Sequence, residues 1–412
     1  MRILDIDCAG CQPGVVNDLV GRALSCSPPG LQRWAAMRRE TMMTDVQKQV
    51  QESIDQLVES GVERSVQVAV YRNAELVVDA VAGVADPATG RPVTSGTPFY
   101  TFSVGKGATS AVAHLLAERG LFDYDTPVME LWPEFGAHGK HTVTVRHVLT
   151  HSAGVPGIPL DTTPEDLCDW DKMCAAIADA QLWWEPGTKV GYHAYTFGYI
   201  VGEIVRRVTG KPISQVLRED VAGPLGVADE LYFGMPESEH GRLARLEDEE
   251  GTGDVMSSMP EDLPMFKAGP AGVFPTAELG NRTDILAADI PAGGKNSARA
   301  IARMYAALLG GVDGVRLISA ERLRQVTAVA ASGVDEVFGN SSSWGLGYSI
   351  GLLGSTAAET PTVFGMGGAG GTFAYGDTAT GVAFGLAKNR LSADFNTAAQ
   401  ISQIVTRAVA DG

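Results

Sequence analysis

The chain is poor in positive charge and in cysteine, and it contains no long hydrophobic run. Lys and Arg number 32 against 49 Asp and Glu, so the formal net charge is -17. An acidic surface of this kind disfavours nucleic acids and anionic membranes as partners, and it favours solubility. No stretch approaches the roughly 18 consecutive apolar residues of a membrane span. We therefore expect neither a nucleic-acid partner nor a membrane partner.

Residues 1–43 contain neither the basic region nor the apolar core of a secretory signal peptide. We expect them to be an N-terminal extension, either disordered or the product of an upstream start codon. The five cysteines are scattered, and Cys8 and Cys11 form a lone C-x-x-C pair without a second pair or a nearby histidine. We therefore expect no metal and no cofactor, and a reducing, cytoplasmic location.

Hydrophobic periodicity predicts strands towards both ends of the chain and helices between them. The predicted helices span residues 46–60, 103–120, 197–209, 297–309 and 394–410. The predicted strands span residues 65–71, 75–81, 343–352, 363–365, 371–376 and 382–388. This order predicts one sheet built from both ends of the chain, with a helical insertion. The expected division is a sheet domain formed by residues 44–100 and 300–412, and a mostly helical domain formed by residues 101–299.

A serine and a lysine stand three residues apart at the start of a predicted helix, in the run Ser103-Val104-Gly105-Lys106. Positions i and i+3 are neighbours on one helix face. A serine hydroxyl is a poor nucleophile until a base removes its proton, and a neutral lysine can be that base. The pair is therefore a candidate for covalent catalysis, although the same spacing is also common on solvated helix surfaces.

Two further elements could complete such a site. Tyr192 lies in a loop ahead of the 197–209 helix, and a phenol beside a lysine can have a lowered pKa and carry a proton. The other element is the run of residues 364–371, which contains five glycines. Glycines between strands permit close approach of the backbone, and backbone N–H groups on such an edge can bind an oxyanion. Ordinary packing of the tyrosine and a flexible glycine turn are the structural alternatives.

Taken together, these elements resemble the serine β-lactamase and penicillin-binding protein superfamily, in particular the class C-like branch with family VIII carboxylesterases. The resemblance runs from about residue 43 to the end of the chain. Its motifs are residues 99–106 around the serine, 123–128, the Leu-Thr-His loop at 145–155, 184–187 leading to Tyr192, and Met366-Gly367-Gly368. The resemblance implies an α+β fold, in which an antiparallel sheet is flanked by terminal helices and carries a mostly helical inserted domain.

The resemblance also implies a role for each matching residue. Ser103 attacks a carbonyl, Lys106 helps to remove its proton, and Tyr192 returns a proton to the leaving group and later activates the acceptor. The backbone N–H groups of Ser103 and Ala369 bind the oxyanion. Met366, Gly367 and Gly368 occupy the substrate-binding strand.

The chain departs from the family pattern in two places. The family's Tyr-x-Asn is Tyr192-His193-Ala194, so an amide that would bind a substrate amide is missing. The family's Lys-Thr-Gly is Met366-Gly367-Gly368, so a lysine that would attract a substrate carboxylate is missing. Both losses disfavour β-lactams and D-Ala peptides. They favour an ester with a neutral, apolar acyl group, against which Met366 would form an adaptable wall.

Other polar and aromatic residues are weaker candidates for the cleft. His193 follows Tyr192 and could touch substrate, although a structural histidine is the more common case. Trp344 and Tyr348 could line an apolar cleft or pack in the core. His151 is expected to stabilise its loop, and Asn296 either edges the site or caps the following helix.

The leading prediction is a serine hydrolase that forms an acyl-enzyme at Ser103 and acts as a carboxylesterase on small-molecule esters. An acyltransferase remains open, since the same acyl-serine could be resolved by an amine or an alcohol of a biosynthetic pathway. A β-lactamase or D-Ala peptidase and a non-catalytic binding protein are the remaining alternatives. The sequence does not indicate an oligomeric state.

Overall fold

The computed structural model describes residues 45–251, 259–260 and 262–410. The predicted extension over residues 1–43, together with Cys8 and Cys11, lies outside the described residues. Among the described helices, none combines the length and the apolar character needed to cross a membrane.

A nine-stranded sheet organises the described chain. The strands of the molecule are Ser65–Arg72 (β1), Glu75–Asp86 (β2), Arg91–Pro92 (β3), Phe99–Phe102 (β4), Leu231–Tyr232 (β5), Glu247–Asp248 (β6), Gly294–Asn296 (β7), Ala331–Val334 (β8), Ser341–Trp344 (β9), Ser349–Ile350 (β10), Val363–Gly368 (β11), Thr372–Asp377 (β12), Val382–Lys388 (β13) and Arg390–Leu391 (β14). The order in the large sheet is β3-β2-β1-β13-β12-β11-β10-β9-β8, with antiparallel neighbours. An early and a late segment of the described chain therefore meet where β1 pairs with β13.

Helices pack on both faces of this sheet, and further helices lie in the part of the chain between its early and its late strands. They are 45–59 (α1), Gly105–Glu118 (α2), Val128–Leu131 (α3), Val145–Leu149 (α4), Pro164–Cys168 (α5), Trp170–Asp179 (α6), Thr196–Thr209 (α7), Ile213–Val216 (α8), Pro264–Ala268 (α9), Ala277–Gly280 (α10), Thr283–Ala287 (α11), Ala298–Leu309 (α12), Ala320–Thr327 (α13) and Asn396–Ala410 (α14). Mixed helices with an antiparallel sheet confirm the predicted α+β fold class.

Side chains alternate between the two faces of each strand, and the two faces carry different packing. In β1, Val66, Val68 and Val70 join the buried cluster that contains residues of α1 and α14. Ala69 and Tyr71, which alternate with them, belong to the larger cluster that contains α12 and the helices beyond it. The terminal helices therefore cover one face, and the other face supports the rest of the molecule.

A smaller sheet, β4-β7-β5, connects the helical region to the large sheet. β4 ends one residue before Ser103, so this sheet fixes where the serine lies. Thr372 Oγ1 in β12 donates a hydrogen bond to the Thr101 carbonyl at 3.0 Å, which ties β4 to the large sheet.

The predicted strands 75–81 and 363–365 extend to Asp86 and Gly368 in the structure, and two other predicted elements are divided or shifted. The predicted strand 343–352 is divided into β9 and β10, because Gly345 N–H donates to the Tyr348 carbonyl at 2.9 Å and Gly347 has a φ of 81°. These glycines allow a tight turn within the apolar run. The helix predicted from residue 103 begins at Gly105, so Ser103 stands in a turn ahead of it.

Candidate active site

A cavity of about 510 Å³ opens between the large sheet and the helical region. Its lining is mostly apolar, and it contains the side chains of three predicted catalytic residues, Ser103, Lys106 and Tyr192. Trp344, Met366, Gly367 and Ala369 also line it. Residues that lie more than 250 positions apart in the sequence therefore meet at one cavity.

The backbone around Ser103 is constrained on both sides. Phe102, the residue before it, has a φ of 47°, in the left-handed region that bulky side chains seldom adopt. Gly105, at the start of α2, packs directly on β7, and a Cβ there would lie 2.1 Å from the Gly294 backbone nitrogen. Only glycine permits this approach. The strained residue and the close contact together turn the Ser103 hydroxyl towards the cavity.

Lys106 lies one helical turn further on, and its amine meets the serine. Its Nζ donates to Ser103 Oγ at 3.0 Å and to the Ala292 carbonyl at 2.8 Å. The side chain is almost completely buried. Burial disfavours the charged ammonium and lowers the pKa of Lys106 to about 7. A large share of the amine is therefore neutral at pH 7, which is the form that accepts a proton from the serine.

The buried position of the Tyr192 phenol favours its protonated form. Burial raises the pKa of Tyr192 well above its usual value, and a hydrogen bond with Ser103 only partly opposes that rise. Lys106 Nζ lies 5.0 Å from the centre of its ring. The expectation that the neighbouring lysine lowers the tyrosine pKa is therefore wrong, because desolvation is the dominant effect. The protonated phenol suits the acid role, and the lysine suits the base role.

His151 holds the loop that carries Tyr192. Its carbonyl accepts from Gly191 N–H at 3.0 Å, and its Nδ1 accepts from His193 N–H at 3.0 Å. The residues on both sides of Tyr192 are thus bonded to one histidine. Burial lowers the pKa of His151 well below its usual value, so its ring stays neutral and Nδ1 remains an acceptor.

Strand β11 supplies the part of the cavity wall that lies next to the end of β4. A Cβ on Gly368 would lie 2.1 Å from the Thr101 carbonyl oxygen. The strand can approach the end of β4 this closely because residue 368 is a glycine. Ala369 follows Gly368 and lines the cavity. Met366 is buried against Trp344 and Val190. The arrangement brings the Ala369 backbone to the side of the cavity where Ser103 lies.

Three residues predicted to contact substrate do not line the cavity. The ring of His193 is buried, with Nδ1 bonded to the Gly191 carbonyl at 2.6 Å and Nε2 accepting from Val155 N–H at 3.1 Å. Tyr348 is completely buried beside Phe364, with its ring centre 5.2 Å from that of the phenylalanine. Gly368 faces β4. This placement corrects the substrate-binding prediction for all three residues. Tertiary packing buries the rings of His193 and Tyr348, and it holds Gly368 against the Thr101 carbonyl.

Asn296 also lies inside the protein rather than at the edge of the site. It belongs to β7, and its Oδ1 accepts a hydrogen bond from Thr101 Oγ1 at 2.6 Å. It therefore braces β4, the strand that leads to Ser103.

Much of the cavity wall is formed by residues that were not predicted from the sequence. Its apolar side includes Tyr195, Val273 and Phe274, and the buried Asp335 and the exposed Phe338 also line it. Of these five residues, Tyr195 is the one that the sequence could have placed near the site, because it lies three residues after Tyr192. The others lie on loops with no periodic pattern, so only the folded chain brings them to the site.

The chain is similar to known proteins over most of its length. A sequence model of the beta-lactamase family, described as "Beta-lactamase", matches residues 50–405. The esterase/beta-lactamase LipL of Mycobacterium tuberculosis is 37% identical over 336 residues, which cover 78% of this chain and 76% of LipL.

Two solved structures are similar along most of their length. A family VIII carboxylesterase superposes with a TM-score of 0.79 and 33% identity, over 88% of this chain and 97% of that chain. A penicillin-binding protein homologue from Caulobacter crescentus has a TM-score of 0.77 and 30% identity, over 88% of this chain and 98% of that chain.

Proposed function

The chain belongs to the beta-lactamase family, and from this premise we propose that it is a carboxylesterase in which Ser103 forms an acyl-enzyme. The observation that carries the proposal is the contact between Lys106 Nζ and Ser103 Oγ at 3.0 Å, made by an amine whose pKa burial lowers to about 7. A neutral amine at hydrogen-bond distance is the base that a serine nucleophile requires.

The first half of the reaction makes the acyl-enzyme. Ser103 Oγ forms a bond to the ester carbonyl carbon while its proton passes to Lys106 Nζ. The carbonyl oxygen becomes an oxyanion, to which the backbone N–H groups of Ser103 and Ala369 donate. One such donor contributes about 3–4 kcal/mol to a transition state of this type.

Tyr192 completes acylation. Its phenol gives its proton to the leaving alcohol oxygen as the C–O bond breaks, and the Lys106 ammonium returns a proton to the phenolate. Water then attacks the acyl carbon and passes one proton to the neutral Lys106 Nζ, which gives that proton to Ser103 Oγ as its bond to the acyl carbon breaks, and the carboxylic acid is released. The raised pKa of Tyr192 supports this order, because the phenol is protonated when the leaving group needs a proton.

The cavity supports an ester with a neutral, apolar acyl group. Ala194 and Met366 line it at the two positions where the family pattern places an amide and a lysine. Aromatic and aliphatic side chains, among them Phe102, Val273 and Phe274, form the wall nearest to α9. An uncharged acyl chain would bury its surface there at about 25 cal/mol per Å² of apolar area.

The test is hydrolysis of p-nitrophenyl butyrate, together with labelling by a fluorophosphonate probe. We expect wild-type protein to do both, and the Ser103→Ala variant to lose labelling and at least 10³-fold in kcat. Nitrocefin turnover should be slow beside ester turnover. Ester hydrolysis that persists in Ser103→Ala would overturn the proposal, and nitrocefin turnover above ester turnover would overturn the substrate class.

A further inference from the structure

Asp335 places a buried carboxylate at the cavity. It begins the loop of the β8–β9 hairpin, is 3% exposed and lines the same cavity as Ser103. Its Oδ1 accepts hydrogen bonds from the N–H groups of Val337 and Phe338, both at 2.9 Å. The loop is closed by Asp335 N–H, which donates to the Asn340 carbonyl at 2.8 Å. The carboxylate is therefore held in a fixed position by its own hairpin.

The described part of the chain offers this carboxylate no cationic partner. Asp335 belongs to none of the ion pairs formed within 45–251, 259–260 and 262–410. Lys106 is the one lysine or arginine among the described residues of the cavity lining, and its amine is directed to Ser103 and Ala292. A buried carboxylate without a counter-ion costs free energy, and a bound cation would offset that cost.

Three aromatic rings line the same cavity as this carboxylate. The Tyr192 ring lies 5.7 Å from the ring of Phe338 and 5.9 Å from the ring of Trp344, measured between centres. Phe338 is 49% exposed although it lines the cavity, so it lies at the mouth. Aromatic faces attract ammonium groups, and a cage of such rings is the usual site for a quaternary ammonium ligand.

The carboxylate is close to the proton donor of the proposed reaction. The Asp335 charge adds to the effect of burial in raising the pKa of Tyr192. In addition, Glu336 N–H donates to the Val190 carbonyl at 2.9 Å, which ties the hairpin to the loop of Tyr192. Because Tyr192 serves the leaving oxygen, a substituent beyond that oxygen belongs to the alcohol part of the ester.

We propose that Asp335 and the rings of Tyr192, Phe338 and Trp344 bind an ammonium group carried by the alcohol part of the substrate ester. The inference rests on the proposed esterase function and names its leaving group. The acyl part remains neutral and apolar and lies towards α9. Hydrolysis then yields a carboxylic acid and an amino alcohol, with no further reactant than water.

The test compares two esters of the same size that differ in charge. Choline butyrate carries a trimethylammonium group where 3,3-dimethylbutyl butyrate carries a tert-butyl group. We expect wild-type protein to prefer the choline ester by at least tenfold in kcat/KM. In Asp335→Asn, whose amide oxygen can still accept the two loop N–H groups, the preference should fall to less than threefold.

Glu336→Gln is the matched control for the loss of a negative charge. Glu336 is the next residue, is exposed, pairs with Lys189 at 3.2 Å and does not line the cavity. This variant should keep the wild-type preference at the same ionic strength. An equal loss of preference in both variants, or a wild-type preference for the neutral ester, would overturn the proposal.

A binding measurement separates this inference from the esterase proposal. In Ser103→Ala, benzyltrimethylammonium should change the intrinsic tryptophan fluorescence in a saturable way, and adding Asp335→Asn should weaken its binding at least fivefold. Absence of hydrolysis with saturable binding would remove the esterase function and keep the ammonium site. Should Asp335→Asn fail to fold, inhibition of wild-type hydrolysis of the neutral ester decides the matter. Tetramethylammonium must then inhibit more strongly than sodium at equal ionic strength, and equal inhibition rejects the site.

Discussion

At the scale of single residues, the proposed mechanism makes Lys106 the group that sets the pH range of activity. Burial lowers the pKa of Lys106 to about 7, and only the neutral amine can accept the Ser103 proton. We therefore predict that kcat/KM for p-nitrophenyl butyrate rises with pH through about 7 and is level above about 8. The measurement is a pH profile of initial rates. A profile that falls as pH rises through 7 would contradict the role of Lys106 as base.

A second buried lysine provides the control for that profile. Burial also lowers the pKa of Lys295 to about 7, but its Nζ donates to the carbonyls of Phe233 and Ile285 and does not line the cavity. In Lys295→Met these carbonyls lose a donor, so the free energy of unfolding should fall by about 1–3 kcal/mol. The midpoint of the pH profile should not move. A midpoint that moves in Lys295→Met would show that the pH profile reports Lys295 and not Lys106.

The local sequence was enough to position some of the predicted site residues but not others. Ser103 and Lys106 are three positions apart, so the local turn alone brings their side chains together. His193 and Tyr348 are polar aromatic residues near the site in sequence, and nothing local shows that their rings turn inward. Their direction depends on partners such as Val155 and Phe364, which lie far along the chain. Asp335 escaped prediction for the same reason.

At the scale of elements, the contact between β11 and the end of β4 holds together the two segments that carry the proposed oxyanion donors, Ser103 and Ala369. A methyl group on Gly368 would meet the Thr101 carbonyl oxygen at 2.1 Å and Thr372 Oγ1 at 2.4 Å. We predict that Gly368→Ala lowers the free energy of unfolding by about 1–3 kcal/mol and lowers kcat at least tenfold, because the strand must move away from Ser103. Urea unfolding and steady-state kinetics measure both effects.

Gly310→Ala is the matched control, because a Cβ there meets nothing within 4 Å. It should leave both quantities within error of the wild type. Full activity in Gly368→Ala would show that this close contact does not position the oxyanion site.

The elements themselves followed from the sequence where their pattern was long and periodic. The predicted helix 197–209 matches Thr196–Thr209, and its end at Gly210 has the φ of 72° that a left-handed cap requires. Short strands such as β4 and β7 carry too few residues to show alternation, so they were not predicted. Their pairing is fixed by contacts between distant segments, which no local pattern contains.

At the scale of the whole molecule, the large sheet separates two layers. One layer contains α1 and α14, and the other contains α12 and the proposed active site. Ile401 of α14 is fully buried in the cluster that covers the face away from α12. We predict that Ile401→Ala lowers the free energy of unfolding by about 2–5 kcal/mol, since it leaves a cavity in that layer. The kcat/KM of the folded fraction should not change.

Ile404, on the same helix, is only partly buried, and Ile404→Ala should cost less stability. The pair is measured by urea unfolding and by activity at a temperature where both variants are folded. A change in kcat/KM that parallels the loss of stability would show that the two layers are coupled.

The most direct test of the proposed function is the site of the covalent intermediate. Wild-type protein is mixed with p-nitrophenyl butyrate, quenched in acid within the first turnovers, digested and analysed by mass spectrometry. We predict one butyryl group on the peptide that contains Ser103, and none on that peptide in Ser103→Ala. Turnover with a butyryl group on another residue, or ester cleavage that continues at the wild-type rate in Ser103→Ala, would contradict the mechanism.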